Sequence, residues 1–272
     1  MTEGAVTDRA VIARFTALVL AGRRSADDPV ARARGVTHKF LADVAGRPML
    51  SRVLATLADS GAVGRIVVCT DDADIVAGLL PPGVETVAAA ASPSRSILAA
   101  ADVLGGDGPL LVTTADHPLL TAEMVDHFCR ESFRSDADIT VGLAPRRVIQ
   151  PAYPETRRTY LNFRDDGYSG CNLFAVMRPQ GLMAVRFWIR VEQERKRPWR
   201  MVKAFGPWTL LLFLTRRLTL AKGMRHASRI LGARAAAIVM PFAEASMDVD
   251  KPDDLTMAER VLAARAAPPQ PR

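Results

Sequence analysis

The first half of the chain alternates short apolar runs with segments of helical periodicity, and this alternation constrains the fold more than any other feature. Buried strands are predicted over Phe15–Leu20, Arg65–Thr70 and Pro109–Thr114, and helices over Pro48–Ala58 and Ser94–Leu104. Strands that alternate with helices form a mainly parallel sheet with right-handed crossovers. We therefore expect an α/β fold whose ligands bind at the carboxyl ends of the strands.

The second half has a different pattern. A hairpin is predicted around the turn Asp165-Asp166-Gly167, followed by helices over 179–232 that separate near Gly206-Pro207. A strand at Ala235–Met240 and a helix at Pro252–Ala264 then complete the α/β pattern. We expect one domain over residues 15–265 with a helical insertion at 179–234, and loose termini at 1–14 and 266–272.

Composition excludes several classes of protein. The three cysteines are far apart and form no C-x-x-C pair, so neither a disulfide framework nor a zinc site is expected. Met1–Phe15 has no apolar core, unlike a signal peptide, and the apolar run Trp208–Leu214 is too short to span a bilayer. These features favour a cytoplasmic protein. A dinucleotide oxidoreductase is not indicated, since no strand-to-helix turn carries G-x-G-x-x-G.

The loop after the first predicted strand is a candidate phosphate-binding site. It reads Leu20-Ala21-Gly22-Arg23-Arg24, and Lys39 follows. A glycine after a buried strand lets the backbone approach a ligand, and the basic side chains would add positive charge. The alternative is an ordinary turn with solvated basic residues.

Aspartates follow the strand pattern at two other places. Asp116 comes directly after the third buried strand, where it would reach a metal ion or cap the turn before Pro118. Asp248 and Asp250 alternate along an extended segment and are expected to share one face. One or both would supply a second carboxylate to the same metal.

Three segments taken together resemble the MobA-like nucleotidyltransferases, which have a Rossmann-like GT-A fold. They are FTALVLAGRR with HKFLADVAGRPML, then TTADHPLL, then MDVDKPDDL. The resemblance implies transfer of a nucleoside monophosphate from an NTP to a small phosphorylated acceptor, with Mg²⁺ or Mn²⁺. One departure is Arg23, which stands where the family loop usually has a second glycine.

The resemblance also implies roles for individual residues. Lys39, Asp116 and Arg23 would be catalytic, and Asn172 would contact the acceptor. The metal ligands would be Asp116 and either or both of Asp250 and Asp248. Nucleotide contacts would come from Leu20, Ala21, Gly22, Arg24, Ser94, Arg95 and Ser96, with Ser94 also a candidate N-cap.

Two alternatives to this function remain open at this point. A GT-A glycosyltransferase would bind a nucleotide-sugar and release a nucleoside diphosphate. A non-catalytic nucleotide- or membrane-binding module would bind without turnover. Lys39 favours the nucleotidyltransferase, since a nucleoside triphosphate needs more counter-charge than a nucleotide-sugar.

The basic character of the chain belongs to one segment. The net charge is +7, but residues 186–234 carry 13 Lys/Arg and two Asp/Glu, so the remainder is net −4. Three interpretations stay open: solvated charge on packed helices, a lid facing an acidic acceptor, or contact with an anionic membrane surface. The membrane interpretation would place the protein at the periphery of the inner membrane. Nucleic acid is not expected, because no recognised module or aromatic platform is present.

Overall fold

An eight-stranded sheet covered by helices forms the framework of the computed structural model, which describes residues 14–23, 27–105, 108–193 and 206–267. The strands are β1 Phe15–Leu20, β2 Asp43–Val44, β3 Arg47–Pro48, β4 Val63–Thr70, β5 Glu85–Ala88, β6 Leu110–Thr114, β7 Ile139–Pro145, β8 Leu161–Asn162, β9 Gly167–Val176 and β10 Ala235–Val239. The helices are α1 Pro29–Arg34, α2 Met49–Asp59, α3 Ala73–Ala77, α4 Pro93–Leu104, α5 Ala122–Arg134, α6 Arg146–Ala152, α7 Leu182–Gln193, α8 Pro207–Leu214, α9 Leu220–Leu231 and α10 Pro252–Ala266. Short 3-10 turns lie at Lys39–Leu41, Pro179–Gly181 and Ala243–Ser246.

The strands of the large sheet run in the order β10-β7-β9-β6-β1-β4-β5, with β8 paired to β9. Strand β1 pairs in parallel with both β4 and β6, and β10 pairs in parallel with β7. Strand β9 is antiparallel to both β6 and β7, so it is the reversed strand between them. The prediction of an α/β fold with a mainly parallel sheet is confirmed.

Alternation along the central strand sorts side chains into two layers. Ala17 and Val19 of β1 pack into the larger core, to which α2 contributes Leu54 and α5 contributes Phe128. Leu18 points to the other face, where it joins side chains of α4 and α7. A central strand that is apolar on both faces is what a covered parallel sheet requires.

Both ends of the helical segment 179–234 meet at one buried aspartate. The amide of Met177 donates to the carbonyl oxygen of Asp138 at 2.9 Å, and the amide of Arg234 donates to its Oδ2 at 2.8 Å. The guanidinium groups of Arg178 and Arg234 lie 3.3 and 3.2 Å from Oδ1. Asp138 therefore joins the residues that lead into α7 to those that lead out of α9.

Several local features differ from the predictions. Helix α4 begins at Pro93, with the Ser92 hydroxyl accepting from the amide of Arg95, so Ser92 rather than Ser94 is the N-cap. Helix α1 was missed because six residues with only two buried side chains show no periodicity.

The expected termini coincide only in part with the described residues. Helix α10 extends through Ala266, two residues past the predicted end. Residues 1–13 and 268–272 lie outside the described part, as does Arg24.

A glycine at the start of the helical segment permits a close backbone approach. A Cβ at Gly181 would lie 2.2 Å from the carbonyl oxygen of Asp138, well inside contact distance. We predict that Gly181→Ala lowers the free energy of unfolding by about 2–3 kcal/mol, because the backbone must move apart. Urea denaturation measures the change. Gly78→Ala is the matched control, since nothing lies within 4 Å of a Cβ there, and an equal effect of both substitutions would contradict this account.

Candidate active site

The carboxyl ends of β1, β4 and β6 form a continuous edge. The amide of Ala21 donates to the carbonyl of Cys69 at 2.8 Å, and the amide of Ala115 donates to the carbonyl of Leu20 at 3.1 Å. The main-chain ladder thus extends one residue past each strand. It holds the loop at Gly22 and the carboxylate of Asp116 on neighbouring strands.

Lys39, Asp116 and Asp250 meet at this edge although they are distant in sequence. The Lys39 ammonium lies 2.7 Å from Oδ2 of Asp116 and 2.8 Å from Oδ1 of Asp250. The Lys39 and Asp116 side chains are largely buried, whereas that of Asp250 is 62% exposed. One cation therefore bridges two carboxylates at the mouth of the site.

Local structure fixes each of these groups. Lys39 opens a 3-10 turn whose next residue, Phe40, is buried in the core. The amide of Val249 donates to the carbonyl of Asp116 at 2.9 Å, which joins the 247–250 segment to the end of β6. Met247 and Val249 are buried, so the aspartates that alternate with them turn towards the site.

The two carboxylates keep Lys39 charged. Burial alone would lower the pKa of Lys39, but attraction to Asp116 and hydrogen bonds to Asp116 and Asp250 outweigh it and raise the pKa above its ordinary value. The ammonium is therefore protonated throughout the neutral range. It can neutralise phosphate charge but cannot act there as a base.

Asp248 has a different set of partners from Asp250. Its Oδ1 accepts from Nη1 of Arg158 at 2.8 Å, and its Oδ2 accepts from Nδ2 of Asn172 at 2.9 Å. Burial, followed by repulsion from Asp250 and Asp116, raises the pKa of Asp248 despite Arg158. Both oxygens of this carboxylate are thus engaged by other side chains, and it is Asp250 that lies with Asp116 around Lys39.

Asn172 reaches Asp248 from an irregular point in β9. The register against β7 shifts between Val141 and Leu143, and Asn172 has a φ of +49°. Asparagine tolerates this left-handed conformation better than other residues with a Cβ. A Cβ at Gly142, opposite the bulge, would lie 3.2 Å from Cβ of Leu173. The bulge turns the Asn172 amide towards the site.

The loop after β1 carries backbone amide groups as well as basic side chains. The amide of Arg23 donates to both carboxylate oxygens of Asp71, at 3.3 and 3.4 Å, and Gly22 and Arg23 are both exposed residues. The buried ring of His38 lies 3.8 Å from Oδ1 of Asp71. Asp71 therefore supports the loop from the end of β4.

The three residues at the start of α4 differ in exposure. The Ser94 hydroxyl is buried and donates to Glu192 of α7 at 2.8 Å, and the Ser96 hydroxyl accepts from the amide of Ala90 at 2.8 Å. Arg95 is the exposed member. The chain itself engages both serine hydroxyls, so Arg95 is the side chain of this group that faces solvent.

His117 is buried directly after Asp116. Its Nε2 lies 3.1 Å from the carbonyl oxygen of Glu244, and burial lowers its pKa, so the ring is neutral. The carbonyl partner makes Nε2 the protonated nitrogen. This contact gives His117 a structural role, since it ties the residue after Asp116 to the 3-10 turn at Ala243–Ser246.

Sequence reasoning missed three residues at this edge: Asp71, His38 and Arg158. Asp71 had a usable signal, because it follows a buried strand in the same way as Asp116. His38 immediately precedes Lys39 but shows no pattern of its own. Nothing local distinguishes Arg158 from its neighbour Arg157, and only the fold brings Arg158 to Asp248.

A mainly parallel α/β sheet with a glycine loop, a lysine and two aspartates at its carboxyl edge defines a nucleotide-binding enzyme fold of the Rossmann-like type. The family model of the MobA-like NTP transferase domain matches residues 17–164. The chain belongs to this family and is a nucleotidyltransferase. The resemblance seen in the sequence is confirmed, and so is the prediction of a nucleotidyltransferase.

Individual relatives agree with this assignment. A hypothetical transferase structure from Thermus thermophilus is 32% identical with a TM-score of 0.75, covering 89% of this chain and 99% of that one. The 3-deoxy-manno-octulosonate cytidylyltransferase of Chelativorans sp. (strain BNC1) is 28% identical over 84% of this chain and 91% of its own length. The bifunctional protein GlmU of Lactococcus lactis is 29% identical over 47% of this chain, an alignment that covers 27% of that protein.

The bulge at Asn172 gives a test of backbone strain. We predict that Asn172→Val lowers the free energy of unfolding by about 2 kcal/mol, because a β-branched residue is strained at positive φ. Asn172→Gly removes the same hydrogen bond to Asp248 but accepts the conformation, so its effect should stay below about 1 kcal/mol. Urea denaturation of both variants measures the difference. Equal losses would show that the bulge is not strained.

Proposed function

We propose that this nucleotidyltransferase transfers the nucleoside monophosphate of an NTP to a small phosphorylated acceptor, such as a sugar, polyol or cofactor precursor, and releases pyrophosphate. The observation that carries the proposal is the meeting of Lys39 with Asp116 and Asp250 beside the Gly22 loop. A triphosphate would lie along this edge, with its α-phosphorus near the aspartates.

The two aspartates fit a divalent metal ion, Mg²⁺ or Mn²⁺. Carboxylates within 2.8 Å of one ammonium are close enough to converge on one cation, and Mg²⁺ typically takes one or two carboxylates plus phosphate oxygens and water. Within the described ranges no cluster of three or more His, Cys, Asp or Glu residues could hold an ion, so phosphate and water would complete the shell. Bound there, the metal would neutralise charge on the phosphates.

The chain's own groups position the reactants and balance charge. An acceptor oxygen attacks the α-phosphorus and forms a new P–O bond, while the bond from the α-phosphorus to the oxygen bridging to the β-phosphorus breaks. The acceptor's proton, if it carries one, leaves to solvent. Lys39 and Arg23 stabilise the negative charge that gathers on the departing pyrophosphate. No covalent intermediate with the protein is needed.

Arg158 and Asn172 are proposed to form the acceptor side. The Arg158 guanidinium has N–H groups beyond those that contact Asp248, and it supplies a positive charge at a largely buried position. An anionic acceptor would accept hydrogen bonds from those remaining N–H groups, and the cytidylyltransferase from Chelativorans is named for a sugar acid. Asp248 would then be a positioning residue that orients Arg158 and Asn172, with Asp116 and Asp250 as the metal ligands.

The function is tested by offering each of the four NTPs with a panel of phosphorylated sugars, polyols and cofactor precursors, and measuring pyrophosphate. One productive pair is expected, and omission of the divalent cation should abolish turnover.

We predict that Lys39→Met lowers kcat/KM by about 10²–10³, because the counter-charge to pyrophosphate is lost. Lys222→Met is the matched control at an exposed position and should remain active. Full activity of Lys39→Met would refute the proposed role.

The acceptor side has a separate test. We predict that Arg158→Gln raises the KM for the acceptor by roughly 30- to 100-fold through loss of a charge-assisted contact, with little change in the KM for NTP. Arg157→Gln, one residue away and exposed, should behave like the wild type. Asp248→Asn should resemble Arg158→Gln in steady-state kinetics. If Asp248→Asn instead raises the metal concentration needed for activity, Asp248 is a metal ligand after all.

A further inference from the structure

Helix α8 has an inner and an outer face that differ in their contacts. The Phe213 ring packs against the Phe163 ring with centroids 5.5 Å apart, and the Thr209 hydroxyl lies 3.2 Å from Nε2 of His226. Leu211 and Leu214 are three residues apart on the opposite side and are 48% and 68% exposed. Large aliphatic side chains thus project from the outer face of α8.

Exposed basic side chains follow α8 in the chain and lie along α9. Arg216 and Arg217 follow the helix directly and are exposed. On α9, Lys222, Arg225 and Arg229 form one exposed stripe, while the buried Leu220 lies on the other side. Residues 206–233 contain five Lys/Arg and no Asp/Glu, so no acidic side chain of this segment offsets them.

The backbone at Arg216 ends helix α8 in a left-handed conformation. Arg216 follows the last turn of α8 with a φ of +55°, a left-handed conformation for which glycine is the usual residue at this position. Its amide donates to the carbonyl of Phe213 at 3.0 Å, which closes the helix end. The last turn of α8 therefore ends with Arg216 two residues after the exposed Leu214.

We propose that the outer face of α8, together with Arg216, Arg217 and the basic stripe of α9, docks on an anionic lipid bilayer. Exposed leucines flanked by cations suit a surface that is apolar below and negative above. No described helix is long and apolar enough to cross a membrane, so the helix would lie in the interface. Insertion of the leucines and attraction of the basic side chains to the lipid head groups would each be weak, and together they would give reversible binding.

The docking face is connected to the acceptor side of the site. The amide of Leu220 at the start of α9 donates to Oδ1 of Asp165 at 3.0 Å, and the amide of Arg164 donates to the carbonyl of Leu218 at 2.8 Å. Asp165 and Arg164 lie in the turn that leads into β9, the strand that carries Asn172. Docking would therefore hold the turn that leads into β9 near the lipid surface.

The test uses the full chain and vesicles of phosphatidylcholine with or without phosphatidylglycerol, in a co-sedimentation assay at low and high salt. The protein should sediment with the anionic vesicles and not with the neutral ones. Arg216→Gln with Arg217→Gln should lower partitioning by roughly 10- to 30-fold. Leu211→Ser with Leu214→Ser should lower it as well. Binding that ignores lipid charge, or no binding at all, would overturn the proposal.

Matched controls separate docking from general effects. Arg130→Gln with Arg134→Gln removes the same two charges from exposed positions on α5, and Val103→Ser removes an aliphatic side chain that is 74% exposed; neither should alter partitioning. Arg216→Gly relieves the left-handed backbone while removing the charge, so it should fold at least as stably and still bind vesicles less. If Arg216→Gly binds normally, arginine there has no part in docking.

Two other results would replace the membrane with another occupant. An RNA or DNA oligonucleotide whose binding is lost in the arginine variants but not in the leucine variants would identify nucleic acid, if vesicles do not bind. A dimer that dissociates in the leucine variants would identify a second copy of the chain. Pyrophosphate release with a soluble acceptor should be unchanged in all docking variants. A failure of docking would therefore not contradict the proposed reaction, and a failure of the proposed reaction would not contradict docking.

Discussion

The ammonium of Lys39 between Asp116 and Asp250 is the interaction on which the arrangement of the site depends. It draws together the end of a central strand, the turn after the first loop and the segment before the last helix. Two carboxylates this close repel each other, and a cation between them removes the repulsion. In the proposed reaction cycle, a metal ion and a triphosphate would redistribute these charges, and the lysine would turn to the phosphates.

The aspartates at this edge of the sheet differ in the side chains that they contact. Asp116 and Asp250 face the Lys39 ammonium, whereas Asp248 is engaged by an arginine and by an asparagine that lies in a bulge. Alternation along the extended segment puts Asp248 and Asp250 near each other but gives them different neighbours. The proposed division into metal ligands and an orienting residue follows from those neighbours rather than from the residue type.

Sequence reasoning predicted the sheet and the clustering of Lys39, Asp116 and Asp250, because buried strands and their polar ends have a clear pattern. It did not distinguish Asp248 from Asp250, because alternation along a strand predicts which face a side chain lies on but not which residue it contacts. Arg158 was invisible for a related reason: its partner is 90 residues away and is reached only through the tertiary fold. Short elements such as α1 were missed because a single turn or two buries too few side chains to show a period.

Asp138 joins the two ends of the segment 179–234, and this contact determines where the family fold can accept an insertion. The entry and exit of the segment 179–234 meet at one buried residue, so the two ends of that segment are fixed relative to the sheet. The entropy of closing a loop grows only logarithmically with its length, so helices added within the segment would cost little stability as long as the buried faces of α7 and α9 are kept. New surfaces can be attached at this point without changing the register of any strand that holds the catalytic edge.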